Sequence, residues 1–278
     1  MTEPFRGWVR PGPVPPGAHA VPDVPADQTL DFISGHFRIF QLRDGHRFST
    51  DDVLAAWYGT SWCPSASTIL DLGSGIGSVA TIAAWRLPGA RLVTVEAQEV
   101  SVALARKSMA FNGIDGRVDV RSGDFRSAGV VREDETFDLI FGSPPYFAVG
   151  SGIEGDHPQK VACRFELRGD IADYAACAAR HLAPGGIFAC VFPLPDGQRQ
   201  RVLDAASQAR LAIVRERPVV LKEGSAPLLG LYAMSRATDL PEPMRRQTWV
   251  EPPLIIRAAT GSVHSEYQAV KLAFGFPP

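Results

Sequence analysis

Cysteine is scarce, charge of one sign is not in excess, and no long apolar run occurs in these 278 residues. The four cysteines, Cys63, Cys163, Cys177 and Cys190, form no CxxC pair and have no histidine at zinc-finger spacing. That excludes a disulfide scaffold and a structural zinc module, and no metal is implied. Reduced thiols of this kind fit a cytoplasmic protein. No stretch approaches the roughly eighteen consecutive apolar residues of a membrane-spanning helix. Residues 1–30 carry Glu3, Arg6 and Arg10 among prolines where a secretory signal would have its apolar core. Lys plus Arg number 28 against 30 for Asp plus Glu, a net charge of -2. This excludes a histone-like binder driven by charge alone, while leaving room for a nucleic-acid enzyme with a local basic face. No internal repeat is present.

What is present is an ordinary globular composition, 45% hydrophobic and 21% charged, long enough to bury a core without staples. Prolines 11, 13, 15, 16, 22 and 25 forbid a helix at the start, so residues 1–28 are expected to form a loose, proline-rich extension and 29–278 one domain. From residue 68, short apolar runs alternate with helical stretches. The expected strands are Thr68–Leu72, Arg91–Glu96, Arg117–Arg121, Phe137–Phe141 and Ile187–Phe192, with helices Val79–Arg86, Val100–Phe111 and Ile171–Leu182 between them. Val100 with Leu104, and Ala105 with Met109, supply the apolar stripe of the second helix. A further helix, Arg199–Ala209, precedes two more runs, Leu211–Leu221 and Leu228–Ser235, whose short connection predicts an antiparallel hairpin. The result is an α/β fold: seven strands, mostly parallel, with helices on both faces.

The chemistry gathers where these strands end, which is where open α/β sheets bind ligands. The first ends in Asp71-Leu72-Gly73-Ser74-Gly75-Ile76-Gly77, and the next in Glu96, nineteen residues beyond Gly77. A carboxylate there can accept the hydroxyls of a ribose. A dinucleotide fingerprint would read GxGxxG and hold a pyrophosphate on the helix start. Here the spacing is GxGxG, and Asp71 stands two residues before the first glycine, where it would repel a pyrophosphate. A carboxylate suits a sulfonium ligand with an ammonium group, so the loop favours S-adenosyl-L-methionine over NAD. The third strand ends in Asp124-Phe125, an acceptor and a flat face for adenine. The fourth ends in Ser143-Pro144-Pro145-Tyr146, a rigid extended exit that aims acceptors at a substrate amine beside an aromatic face.

Asp71 to Gly77, Glu96, Asp124 and Ser143 to Tyr146 together resemble a class I S-adenosylmethionine-dependent amino-methyltransferase with an [NDS]PP[YFW] motif. The resemblance implies a Rossmann-like methyltransferase sheet. The segments Asp31 to Gly35 and Gly45-His46-Arg47-Phe48-Ser49-Thr50-Asp51 resemble the bacterial tRNA adenine-N6 methyltransferases, which modify adenosine beside the anticodon of valine tRNA. Cys163-Arg164-Phe165-Glu166 and Glu266-Tyr267 are similar to theirs as well. That branch has Asn first in the tetrapeptide, where this chain has Ser143; serine there is similar to cytosine-N4 methyltransferases.

The resemblance implies catalytic roles for Ser143, Pro144, Pro145 and Tyr146, with Asp71, Gly73, Gly75, Gly77, Glu96, Asp124 and Phe125 around the cofactor. The implied substrate is an exocyclic base amine, adenine N6 in tRNA foremost, with cytosine N4 or a protein glutamine amide as alternatives. A silent RNA-binding scaffold and an NAD(P)-dependent oxidoreductase are the competing classes, and the latter is opposed by Asp71 and the tetrapeptide. Arg38, Arg43 and Arg47, and separately Arg199, Arg201, Arg245 and Arg246, are candidates for RNA contact or for plain solvated surface. His36, His46 and His264 carry no signal.

Overall fold

A computed structural model describes residues 7–20, 22–147 and 157–277. An antiparallel hairpin, β1 (Gln28–Ser34) and β2 (Phe37–Leu42), leads into helix α1 (Thr50–Trp62). The alternating part follows: β3 (Thr68–Leu72), α2 (Ser78–Arg86), β4 (Arg91–Glu96), α3 (Glu99–Asn112), β5 (Val118–Ser122) and β6 (Phe137–Gly142). Then come α4 (Pro158–Arg164), α5 (Ile171–His181), β7 (Leu182–Pro193), α6 (Gln198–Gln208), β8 (Leu211–Lys222) and β9 (Leu229–Arg236). Two short strands, β10 (Trp249–Val250) and β11 (Leu254–Arg257), and helix α7 (Ser265–Ala273) complete the order.

The main sheet has nine strands, two more than expected. Its order is β10-β8-β9-β7-β6-β3-β4-β5, with β11 also paired to β8. The seven expected strands form its body: β5, β4, β3, β6 and β7 run parallel, and the β8–β9 hairpin is antiparallel. The additions are β10 and β11, laid end to end along the free edge of β8. At two and four residues they are too short to announce themselves by alternation, and they cover an edge that would otherwise remain open.

Apolar side chains fill both faces. Leu54, Ile69, Ile82 and Ala105 belong to the layer under α1, α2 and α3, while Leu70, Leu72, Tyr174 and Phe188 belong to the layer under α5 and α6. Two helix starts are fixed by reciprocal side-chain caps. Ser49 and Asp52 form a reciprocal capping box on α1, as Asp170 and Asp173 do on α5. Helix α3 stops at Gly113, which holds a left-handed φ of 67°. Its buried stripe runs through Val102, Ala105 and Met109; Val100 is 44% exposed and lies off it.

The proline-rich stretch departs from the expected looseness. Its described residues 7–20 are seated on the domain. Arg10 donates to the Gly35 carbonyl at 2.9 Å, and its guanidinium lies 3.7 Å from the Phe32 ring centre. Gly12 abuts Trp85, and Gly17 abuts Phe111 so closely that neither leaves room for a Cβ. Phe5 lies outside the described residues.

Candidate active site

The strand order reverses direction between β3 and β6, and the loops leaving their carboxyl ends diverge there. Such a switch point opens a crevice in any parallel sheet. Here the crevice is a cavity of about 710 Å³, a size suited to a cofactor with a small substrate group. Gly73, Gly75, Glu96, Asp124, Phe125, Ser143, Pro144, Pro145 and Tyr146 all line it. Asp71 and Gly77 do not.

The β3–α2 loop needs its glycines. Gly73, Gly75 and Gly77 hold φ of 61°, 55° and 81°, a region that penalises a Cβ. A Cβ on Gly73 would collide with the Tyr174 hydroxyl, and one on Gly77 would sit 2.9 Å from Met109 Cε. Gly75 faces open space, so a ligand can lie directly on its backbone. Glu96 ties this loop to the next: its Oε2 accepts from the Gly75 N–H at 2.8 Å and its Oε1 from the Gln98 N–H at 2.7 Å. Burial raises the Glu96 pKa above the ordinary carboxylate value, and these two N–H bonds oppose that rise. The Ser74 hydroxyl, on the cavity wall, is buried and has no partner among the described residues.

Asp71 is only 2% exposed and sits behind this wall. Burial, reinforced by Asp52, drives its pKa well above the usual aspartate value. The carboxyl groups that do face the cavity at this end are Asp51 and Asp52, both from the first turn of α1. Asp52 is pushed up to about 7, chiefly by its enclosure in protein. Asp51 closes the Gly45–Asp51 motif, and Asp52 lies just beyond it. Their signal was the Ser-x-x-Asp capping pattern, which reads as structural.

Asp124 is not free. Arg126 grips its carboxylate with Nε at 2.9 Å and a terminal nitrogen at 2.6 Å, and this holds its pKa below the ordinary range. Phe125 is 6% exposed and packs edge-on against Tyr174, ring centres 4.6 Å apart. It therefore reaches the cavity through an edge of the wall.

The tetrapeptide is clamped. The Tyr146 hydroxyl donates to Asp51 Oδ2 at 2.9 Å, its ring meets Phe192 edge-on at 5.8 Å, and its carbonyl accepts from Gln198 Nε2 at 3.2 Å. Burial, with Asp51 next in effect, raises the Tyr146 pKa well above the usual phenol value. Cys163 also lines the cavity, where burial pushes its thiol up to about 12 and disfavours the thiolate.

Basic residues gather at one side. Arg43, His46, Arg47, Lys160, Arg164 and Arg168 line the cavity. Burial first, then Arg164 and Lys160, depresses the His46 pKa. Of the second cluster, Arg199 is taken by Glu216 at 2.8 and 2.7 Å, and Arg201 by Glu166 at 2.5 Å. Arg47 of the first cluster is likewise paired, with Asp31 at 2.8 Å. Sequence alone could not separate paired arginines from available ones. Among the described residues no group of three or more His, Cys, Asp or Glu could hold a metal ion. No described helix is long and apolar enough to cross a membrane.

A bare backbone over Gly75, an unpartnered Ser74 hydroxyl, a carboxylate ending β4 and acidic groups at the α1 end fit an S-adenosylmethionine. The fold and this cavity define a class I S-adenosylmethionine-dependent methyltransferase. Residues 60–212 match the methyltransferase small domain family, and the chain belongs to it. It is similar to a tRNA1(Val) (adenine(37)-N6)-methyltransferase of Phocaeicola vulgatus, 30% identical over 204 residues, 73% of this chain and 82% of the relative. It is also similar to the protein of the same name from Tolumonas auensis, 31% identical over 74% of this chain and 83% of that one. In fold it resembles the crystal structure of a predicted O-methyltransferase from Agrobacterium tumefaciens, with a TM-score of 0.61 and 17% identity over 82% of this chain and 98% of that one.

Proposed function

We propose that the enzyme methylates the exocyclic amine of a nucleic-acid base, adenine N6 in tRNA beside the anticodon. The observation that carries this reading is the cationic rim, Arg43, Lys160, Arg164 and Arg168, on the same cavity as the Ser143–Tyr146 tetrapeptide. Phosphates flanking a base need such a rim, and a glutamine side chain does not. The names of the relatives agree with it.

A base amine is a poor nucleophile because its lone pair is delocalised into the ring. Ser143 Oγ and the Pro144 carbonyl accept its two N–H bonds and favour a pyramidal nitrogen. Tyr146, tethered to Asp51, offers a fixed face for a base turned out of its strand. The bound S-adenosylmethionine supplies a methyl group on a cationic sulfur. Positioning and preset acceptors carry the rate. The proton leaves an amine already made cationic by methylation, so no strong base is required.

Ser143 favours a second target, cytosine N4, because a serine arm is shorter than asparagine and offers one hydroxyl. Mass spectrometry of digested RNA, DNA and protein after reaction with labelled cofactor separates the readings. N6-methyladenosine in tRNA is expected. Methylated glutamine with no modified base would overturn the proposal.

A further inference from the structure

Far from the cavity, the lower half of the sheet edge carries a stacked aromatic–cation column. The Arg215 guanidinium lies 3.9 Å from the Trp62 ring centre and 4.4 Å from that of Trp249. Pairing of β10 with β8 sets this contact, since Trp249 is the direct cross-strand partner of Arg215. One side of the Trp249 indole is thus covered by a cation, yet the residue is 62% exposed. Residues 241–250 are exposed throughout and include Arg245 and Arg246. Among the described residues neither of these, nor Arg215, has a carboxylate partner. Arg217, two residues along β8, differs: Glu251 and Glu266 stand 3.9 and 3.5 Å from it. Most tryptophans are largely buried, so an exposed one backed by a guanidinium, with two exposed arginines just before it in the chain, calls for an explanation.

We infer that Trp249, with Arg215, Arg245 and Arg246, is an anchoring platform for a nucleic-acid strand, the indole stacking on a base and the two exposed arginines holding phosphates. This rests on the nucleic-acid reading of the active site. A stack of indole and guanidinium continues naturally into a nucleobase, because every base has a π-face. A second copy of the chain fits less well. A two-fold contact would bring the patch against itself and set arginines against arginines.

Helix α1 measures the separation. Its Asp51 lines the cavity and its Trp62 stands in the column, eleven residues further on. At about 1.5 Å per residue this is roughly 17 Å, or about five base steps at about 3.4 Å each. A strand whose target base occupies the cavity reaches the platform several nucleotides away. The platform therefore acts on capture of the RNA and leaves the reacting group untouched.

Bulk bacterial tRNA is the probe, with binding measured by fluorescence anisotropy over a range of salt, alongside kcat and KM for methyl transfer. Trp249→Ala is expected to weaken tRNA binding and raise KM about tenfold to a hundredfold, the usual span for one lost stacking contact. S-adenosylmethionine affinity and kcat at saturation should change less than about twofold, which also shows that the variant folds. Trp249→Phe should recover most of the loss. Arg245→Ala with Arg246→Ala should lower the slope of log K against log salt by about 2. If wild type methylates tRNA and Trp249→Ala binds it as well as wild type, the inference is overturned while the active-site reading stands. If wild type binds tRNA through Trp249 yet modifies no base, the inference stands and that reading fails. A wild-type dimer in sedimentation that Trp249→Ala dissociates, without loss of tRNA binding, would make the patch a contact between copies and overturn the inference.

Discussion

Glu96 has a structural task, and we propose a binding task, in the same carboxylate. Each oxygen already accepts one backbone N–H, so the β3–α2 loop is shaped by the group that remains available, through its other lone pairs, to a ribose. A charged hydrogen bond is worth about 1.5–3 kcal/mol. Glu96→Ala should therefore weaken S-adenosylmethionine binding at least about tenfold in titration calorimetry, and an unchanged affinity would remove Glu96 from the site. Asp52 makes a second test at this scale. An unfolded aspartate loses its proton near about 3.9, whereas Asp52 in the folded chain holds it to about 7. Between these values the folded state binds more protons, so this residue's contribution to stability falls as pH rises through the interval. Asp52→Asn keeps an acceptor for the Ser49 N–H and cannot ionise. In urea unfolding its stability relative to wild type should rise from pH 4 to pH 8. A difference independent of pH would show that Asp52 titrates normally.

At the scale of elements, helix α5 and the buried strands β3, β4 and β6 were legible in the sequence, because apolar runs alternating with helical stretches are local signals. The glycine loop, Glu96 and the tetrapeptide were legible for the same reason, each being fixed by a turn at a strand end. What escaped is decided by distant partners. Asp71 looks like a ligand group in sequence, yet it stands behind the cavity wall, while Asp51 and Asp52 from an α1 turn line the cavity. Arg199 and Arg201 look like surface cations until Glu216 and Glu166 arrive from other elements. The proline-rich stretch reads as loose because composition cannot show that Gly12 and Gly17 fit against Trp85 and Phe111. Uncovering part of two aromatic side chains costs about 2–3 kcal/mol. Deleting residues 1–20 should then lower the melting temperature by about 4–12 °C in scanning calorimetry. An unchanged melting temperature would mean that this segment adds nothing to the domain.

On the scale of the whole molecule, the cavity is assembled from the ends of β3, β4, β5 and β6 together with the first turn of α1 and residues of α4 and α5. No single element contains a binding site, so only the folded chain can hold the cofactor, and binding must draw the unfolding equilibrium toward the native state. At a ligand concentration of about one hundred times Kd this amounts to about 2.7 kcal/mol. For a domain of this size the melting temperature should rise by about 5–11 °C with S-adenosylmethionine. The same concentration of NAD should give no shift, since the loop has GxGxG spacing and the wall on the α1 side carries carboxyl groups where a pyrophosphate would need donors. Ser143→Ala should keep the full shift while lowering turnover about tenfold to a hundredfold, because the Pro144 carbonyl remains as an acceptor. Glu96→Ala should lose most of the shift. If Ser143→Ala lost the thermal shift and Glu96→Ala retained it, the cofactor and substrate halves of the cavity would have to be exchanged.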